Sequence, residues 1–163
     1  MDIYTYTVEQ LLALEEDPAL QLSQFNNDIA WKLGNHARSL AVEKFPGKAI
    51  VIDIALTSGH ILFRTTTASG TAEDNDHWVQ RKKNTVTRIG KSSFLVGQKL
   101  RLSNRTIEEG LLISSMEFAA HGGCVPLRLK GFDNLIGTLT ISGLKQEQDH
   151  LLALEILKTF ESA

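Results

Sequence analysis

Three short stretches of this sequence combine residue types that bind ligands or move protons. The first is Glu117-Phe118-Ala119-Ala120-His121-Gly122-Gly123-Cys124-Val125-Pro126. Paired glycines in an extended segment mark a bulge or a close approach to the backbone. An imidazole beside them suits a haem-iron or other metal ligand, or a proton donor. Plain packing fits the same pattern, with Gly122-Gly123 admitting a helix or second subunit and His121 hydrogen-bonded locally. The second stretch runs from Thr140-Ile141-Ser142-Gly143 to Asp149-His150. Ser142-Gly143 stands where a strand meets a helix, and free N–H groups there hold an anion or carboxylate. Asp149 and His150 follow about one turn into that helix, where an acid suits the positive end. Helix capping alone also accounts for Ser142 and Asp149. The third stretch is Asp74-Asn75-Asp76-His77-Trp78-Val79-Gln80-Arg81-Lys82-Lys83. On a helix, Trp78 has Arg81 and Lys82 as its i+3 and i+4 neighbours. An aromatic face beside two cations grips a flat anionic ligand such as a porphyrin with propionates. An oligomer contact uses the same residue types, as does an amphipathic helix with Trp78 half-buried.

Familiar active-site signatures are missing. Gly90-Lys91-Ser92 ends like a phosphate-binding loop but lacks the earlier glycine at the required spacing. No Gly-x-Gly-x-x-Gly, Cys-x-x-Cys or Gly-x-Ser-x-Gly occurs. No two histidines have the i, i+4 spacing of a helical zinc site, so no metal-ligand set is expected beyond the single imidazole. Cys124 follows His121 by three residues, and odd spacing on a strand places them on opposite faces, against a catalytic dyad.

These stretches need elements to position them. Thr7 with Gln10 forms a capping-box pattern that opens a short helix, ended at Asp17-Pro18. A longer helix starts near Asn26–Asp28, with Ile29, Leu33, Ala37, Leu40 and Ala41 as its apolar stripe, and stops at Phe45-Pro46-Gly47. Ala49 to Leu56 reads as a buried strand, and His60 to Thr67 as its hairpin partner. A helix begins near Asp74 and stops around Gly90; Ser92 caps another, and Thr106 with Glu109 repeats the capping box. Met116 to Leu129 is expected to be extended, Leu135 to Ser142 to form the last strand, and Lys145–Phe160 the last amphipathic helix. Two hairpins separated by helices exclude a doubly wound parallel sheet, so the fold class is α/β of the α+β kind, an antiparallel sheet flanked by helices.

With 163 residues, 42% hydrophobic and 22% charged, the chain fits one globular domain. The boundaries expected are 1–163, with an N-terminal helical extension at about 1–24. Its charge of −2 has both signs interspersed, which argues against nucleic acid as a partner. The apolar runs are too short to span a bilayer, so no membrane partner is expected. No signal peptide is read at Met1-Asp2-Ile3-Tyr4 and Cys124 is the lone cysteine, so the cytoplasm is the default compartment.

The run from Gly122-Gly123-x-Val125-Pro126 through Ile136-Gly137-x-Leu139-x-Ile141-Ser142-Gly143 to Gln148-Asp149-His150 resembles the GlcG-like, or haem-degrading-domain, family. More narrowly, Asp74-Asn75-Asp76-x-Trp78-x-Gln80-Arg81-Lys82, Phe118-Ala119-x-His121-Gly122-Gly123 and Leu139-Thr140-Ile141-Ser142-Gly143-Leu144-Lys145-Gln146-Glu147 look like its branch called uncharacterised protein family 0303. The resemblance implies a profilin-like antiparallel sheet of about five strands and assembly into a homo-oligomer. It also implies haem as the candidate cofactor, since some relatives bind haem or related tetrapyrroles. The chain departs from the broader pattern at His121, at His150 where an acid is common, and in a helical segment at Ser92–Gly110.

Function is argued from the site rather than the fold. The leading expectation is a homo-oligomer that binds haem or another flat anionic small molecule. Trp78, Arg81, Lys82, His121, Gly122, Gly123, Ser142, Gly143, Asp149 and His150 are its candidate binding residues, and His121 the candidate catalytic group. Two alternatives stand beside it. One is a non-catalytic assembly or protein-interaction module. The other is a metal-free small-molecule enzyme using His121 or His150, with Asp76 or Asp149 as carboxylate partner.

Overall fold

The computed structural model describes residues 1–161. The elements follow as α1 (Val8–Glu15), α2 (Asn27–Lys44), β1 (Val51–Leu56), β2 (Ile61–Thr66), α3 (Glu73–Ile89), α4 (Ser93–Ser103), α5 (Ile107–Leu111), β3 (Cys124–Arg128), β4 (Leu135–Ser142) and α6 (Gln146–Phe160). Local side-chain chemistry sets most helix starts. Thr7 Oγ1 accepts from Gln10 N–H at 3.2 Å while Gln10 Oε1 accepts from Thr7 N–H at 2.9 Å, closing the expected capping box. Thr106 and Glu109 repeat it at α5, Asn26 caps α2, and Ser92 caps α4.

The sheet is antiparallel throughout, in the order β2-β1-β4-β3. It has four strands where about five were expected. A further segment reaches the β3 edge but forms only one parallel bridge, Leu22 with Leu129, too short for a strand. The extended run expected over Met116–Leu129 shrinks to Cys124–Arg128. Ser114 accepts from the N–H groups of Glu117 and Phe118 in a turn, and Gly123 takes φ +132°, which breaks the ladder before it reaches His121.

The two faces of this sheet are chemically unlike. Ile52, Ile54, Leu139 and Ile141 point to one side and pack with Leu33 and Ala37 of α2 and Leu152 and Ile156 of α6. This apolar core is what drives the fold. Alternation puts Asp53, Thr138, Thr140 and Ser142 on the other face, all buried, and α3 covers them with Lys82, Lys83 and Thr85. Here the layer is ionic. Arg64 Nε and Nη2 donate to Asp53 Oδ2 at 2.9 and 2.8 Å, Arg64 Nη1 donates to Asp76 at 2.9 Å, and Lys83 Nζ lies 3.2 Å from Asp53 Oδ1. A smaller apolar cluster ties Ile3 and Leu11 to Phe94 and Leu95, docking the N-terminal residues on α4.

Candidate functional site

Where α3, the Gly122-Gly123 loop and the β4–α6 junction meet, they enclose a cleft of about 380 Å³. Trp78, Lys82, His121, Ser142, Gly143 and Asp149 all line it, joining residues 71 positions apart in the chain. The glycines make this convergence possible. A Cβ on Gly122 would stand 2.3 Å from the carbonyl oxygen of Gln146, and one on Gly123 would stand 2.2 Å from that of Ile141. The close approach expected of the glycine pair is therefore made by the chain's own backbone. Gly122 N–H donates to Gln146 Oε1 at 3.0 Å, and Gly123 C=O accepts from Ile141 N–H at 2.8 Å.

Lys82 and Asp149 form the floor. Their side chains are 4% and 2% exposed, and Nζ lies 3.4 Å from Asp149 Oδ2 and 3.3 Å from the Ile141 carbonyl. Asp149 Oδ1 accepts from Leu144 N–H at 3.1 Å. This carboxylate thus occupies the N–H groups at the strand–helix junction that were expected to hold a ligand anion. It does not cap α6, whose N-cap is Lys145. Burial pushes the Asp149 carboxyl up to about 6, against the pull of Lys82 and the Leu144 N–H, and pushes the Lys82 ammonium down.

His121 stands at the mouth, exposed, its ring edge-on to Trp78 at 5.0 Å between centroids. Partial burial lowers its pKa, and the cations Lys82, Arg81 and Arg101 lower it further, so the imidazole is neutral at pH 7. Trp78 is half-buried, and the Arg81 guanidinium stacks over it at 4.6 Å, as helical spacing required. Arg81 does not line this cleft. It donates from Nε and Nη2 to the Ser115 carbonyl at 3.0 and 2.6 Å, holding the loop before His121.

A profile described as Haem degrading protein HbpS-like matches residues 25–158. The chain belongs to the HbpS-like family. Within the family, UPF0303 protein YBR137W of Saccharomyces cerevisiae is 48% identical over 139 residues, covering 85% of this chain and 76% of that one. The crystal structure of Ybr137w protein superimposes with a TM-score of 0.93 at 44% identity, covering 98% of this chain and 91% of that one. The branch read from the sequence, uncharacterised protein family 0303, is therefore the right one. The crystal structure of a PduOC:heme complex shares the fold, with a TM-score of 0.66 at 19% identity over 83% of this chain and 94% of that one.

Besides Arg81, two further expected residues of this HbpS-like protein stand elsewhere. His150 is fully buried, stacked on Phe94 at 4.9 Å, with its Nε2 4.0 Å from Glu15. Burial pushes its pKa down to about 3, so it neither reaches the cleft nor exchanges protons with it. Asp76, one of two candidate carboxylate partners, is engaged by Arg64 on the far side of α3. Cys124 is buried, accepts from Thr140 Oγ1 at 3.1 Å, and has its thiol pushed up to about 12, which removes thiolate chemistry. Conversely, Asn75, Leu144 and Gln146 line the cleft without having been singled out individually. Gln146 is the first residue of α6, three positions past Gly143, and its signals were that position and its place in the family motif Leu139–Glu147. Among the described residues, no three or more of His, Cys, Asp and Glu converge to hold a metal, and no helix is long and apolar enough to cross a membrane.

Proposed function

We propose that this HbpS-like protein is a homo-oligomer that holds haem, or another flat anionic molecule, in the cleft between Trp78, His121 and the Ser142–Leu144 junction. The observation that carries this reading is the neutral, exposed His121 imidazole standing edge-on to Trp78 above the buried Lys82 ammonium. A neutral imidazole has a free nitrogen lone pair for iron. The indole offers an apolar face to a macrocycle, and Lys82 is a cation within the same wall, so the donor set fits haem. When bound, haem supplies the iron and oxygen chemistry, and the protein supplies position and electrostatics. Lys82 is the better partner for a propionate, because it lines the cleft whereas the Arg81 guanidinium is turned to the Ser115 carbonyl. Arg81 is then a positioning residue that keeps Trp78 and the His121 loop in register. The haem bound in the PduOC structure and the family's description as haem-degrading support the ligand class. Exposed Trp31, Leu112 and Met116, at 63%, 86% and 86% accessibility, support self-association.

Titrating haem into the purified protein, followed by absorption and by light-scattering mass, tests this reading. Saturable binding near one haem per chain and a Soret shift are expected, with the shift lost in His121→Ala and a discrete multimer in both. A Soret shift unchanged in His121→Ala would remove the imidazole from the role. The pH profile adds a second check. Since the folded His121 pKa lies below 6.5, the ligating neutral form persists as pH falls through 6.5 and is lost only further down. Haem affinity that halved already at pH 6.5 would contradict a depressed imidazole.

A metal-free acid–base role draws support from one observation, the Lys82–Asp149 pair, whose carboxyl lies near 6 at the floor of the cleft. It predicts turnover that survives iron chelation and is lost in Asp149→Asn.

A further inference from the structure

Helix α3 separates two clefts. On its other side, a second cleft of about 350 Å³ opens between α3, the β1–β2 turn and Phe118. Among the described residues, the ionisable ones that line it are Lys83 and Arg88, both cations, and no acidic side chain does. The hydroxyls of Thr57 and Ser58 rim the opposite wall.

Lys83 is the unusual member. It is 4% exposed, and its Nζ has no hydrogen-bond partner among the described residues. Asp53 Oδ1 lies 3.2 Å away and supplies one ionic contact, both Arg64 hydrogen bonds going to the other oxygen, Oδ2. Asp53 and Asp76 balance the charges of Arg64 and Lys83, but an ammonium has three donors and a single carboxylate oxygen serves only one of them. A buried cation left so under-bonded is costly unless an acceptor completes it. Arg88 is exposed at the same cleft, over the Phe118 ring at 5.7 Å, and free to swing toward an anion.

We propose that this cleft is a second binding site, for a small anion bearing a carboxylate or phosphate group. The anionic oxygens meet Lys83 at depth and Arg88 at the rim, with the Thr57 and Ser58 hydroxyls as additional donors. Charge-assisted bonds of this kind are the strong ones. The cations and hydroxyls that converge on this cleft suit a compact, strongly polar metabolite.

Calorimetric titration of the full-length protein with inorganic phosphate, and separately with succinate, tests the assignment and separates the two sources of anionic oxygen. Saturable binding of at least one probe is expected. Arg88→Gln, at an exposed position that leaves the fold intact, should weaken it by about tenfold, the loss of one charged hydrogen bond. Lys83→Met should abolish it, with circular dichroism confirming that the variant is folded. Lys32→Gln, at an exposed cation on α2 across the sheet, should leave it unchanged. No saturable heat with either probe overturns the proposal. So does binding that survives Arg88→Gln undiminished, or that Lys32→Gln weakens equally. Haem binding at His121 is read separately, so failure here leaves that reading untouched.

Discussion

Replacing Gly123 by alanine is expected to remove at least ~3 kcal/mol of folding stability, enough to unfold a marginal domain at 37 °C. Two effects add. The backbone there has φ +132°, a conformation L side chains rarely adopt, and the new Cβ would stand 2.2 Å from the Ile141 carbonyl oxygen and 2.8 Å from Lys82 Nζ. Neither neighbour can retreat cheaply. Ile141 is in the middle of the sheet, its N–H bonded to the Gly123 carbonyl, and Lys82 is buried against Asp149. Gly59→Ala is the internal control. Its φ is +92° with nothing within 4 Å, so it carries backbone strain without a clash and should cost about 1 kcal/mol. Urea unfolding of the two variants measures the difference. Equal losses would show that the Gly123 loop relaxes freely, and the cleft would then not be held rigid by it.

The second large effect is that His150→Phe becomes more stable than the wild type as the solution is acidified. The buried imidazole, held down to about 3, takes up no proton in the fold between pH 6.5 and 3, whereas the unfolded chain does. Stability from this group is therefore complete above pH 6.5 and lost as pH falls toward 3, at roughly 1.4 kcal/mol per unit. Asp149, raised to about 6, and Glu15, raised by burial beside Ser92, act in the opposite sense and gain stability on acidification. The wild-type profile alone therefore hides the effect, but both carboxyls remain in the variant. Phenylalanine keeps the stack on Phe94. The variant should lie within about 1 kcal/mol of wild type at pH 7. Between pH 7 and 4.5 its relative stability should improve by about 3 kcal/mol. A difference that stays flat over that range would mean the imidazole is protonated inside the fold, with Glu15 as its partner.

How much was legible in the sequence follows the range of the forces involved. Helix starts were readable because caps act over three residues, as at Thr7 with Gln10 and Thr106 with Glu109. Strand β1 was readable because β-branched residues crowd its buried run, at Ile50, Val51, Ile52 and Ile54. The Trp78–Arg81 stack followed from helical spacing alone. Burial of Lys82 and Lys83 was not readable, since lysine is ordinarily exposed and their partners Asp149 and Asp53 stand far off in the chain. The placement of His150 was recoverable. Three and seven residues before Ala153 and Leu157, it falls on the buried stripe of α6, but its chemistry drew it to the ligand side instead. The missing fifth strand turns on a single bridge at Leu22, a distinction that no local pattern encodes.

The unlike faces of the sheet also bear on how the chain avoids misfolding. Strand β1 is central, paired on both edges, and Asp53 lies between Ile52 and Ile54. If β1 slid by one residue against β4, every side chain would change sides. The carboxylate would enter hydrocarbon between α2 and α6, two isoleucines would face ammonium groups, and Arg64 would lose its acceptor. In a sheet with two greasy faces the same slip costs little. Here one acidic residue proofreads the alignment of the whole central strand, rejecting off-by-one pairings during folding even if the ion pairs add little to the stability of the finished protein.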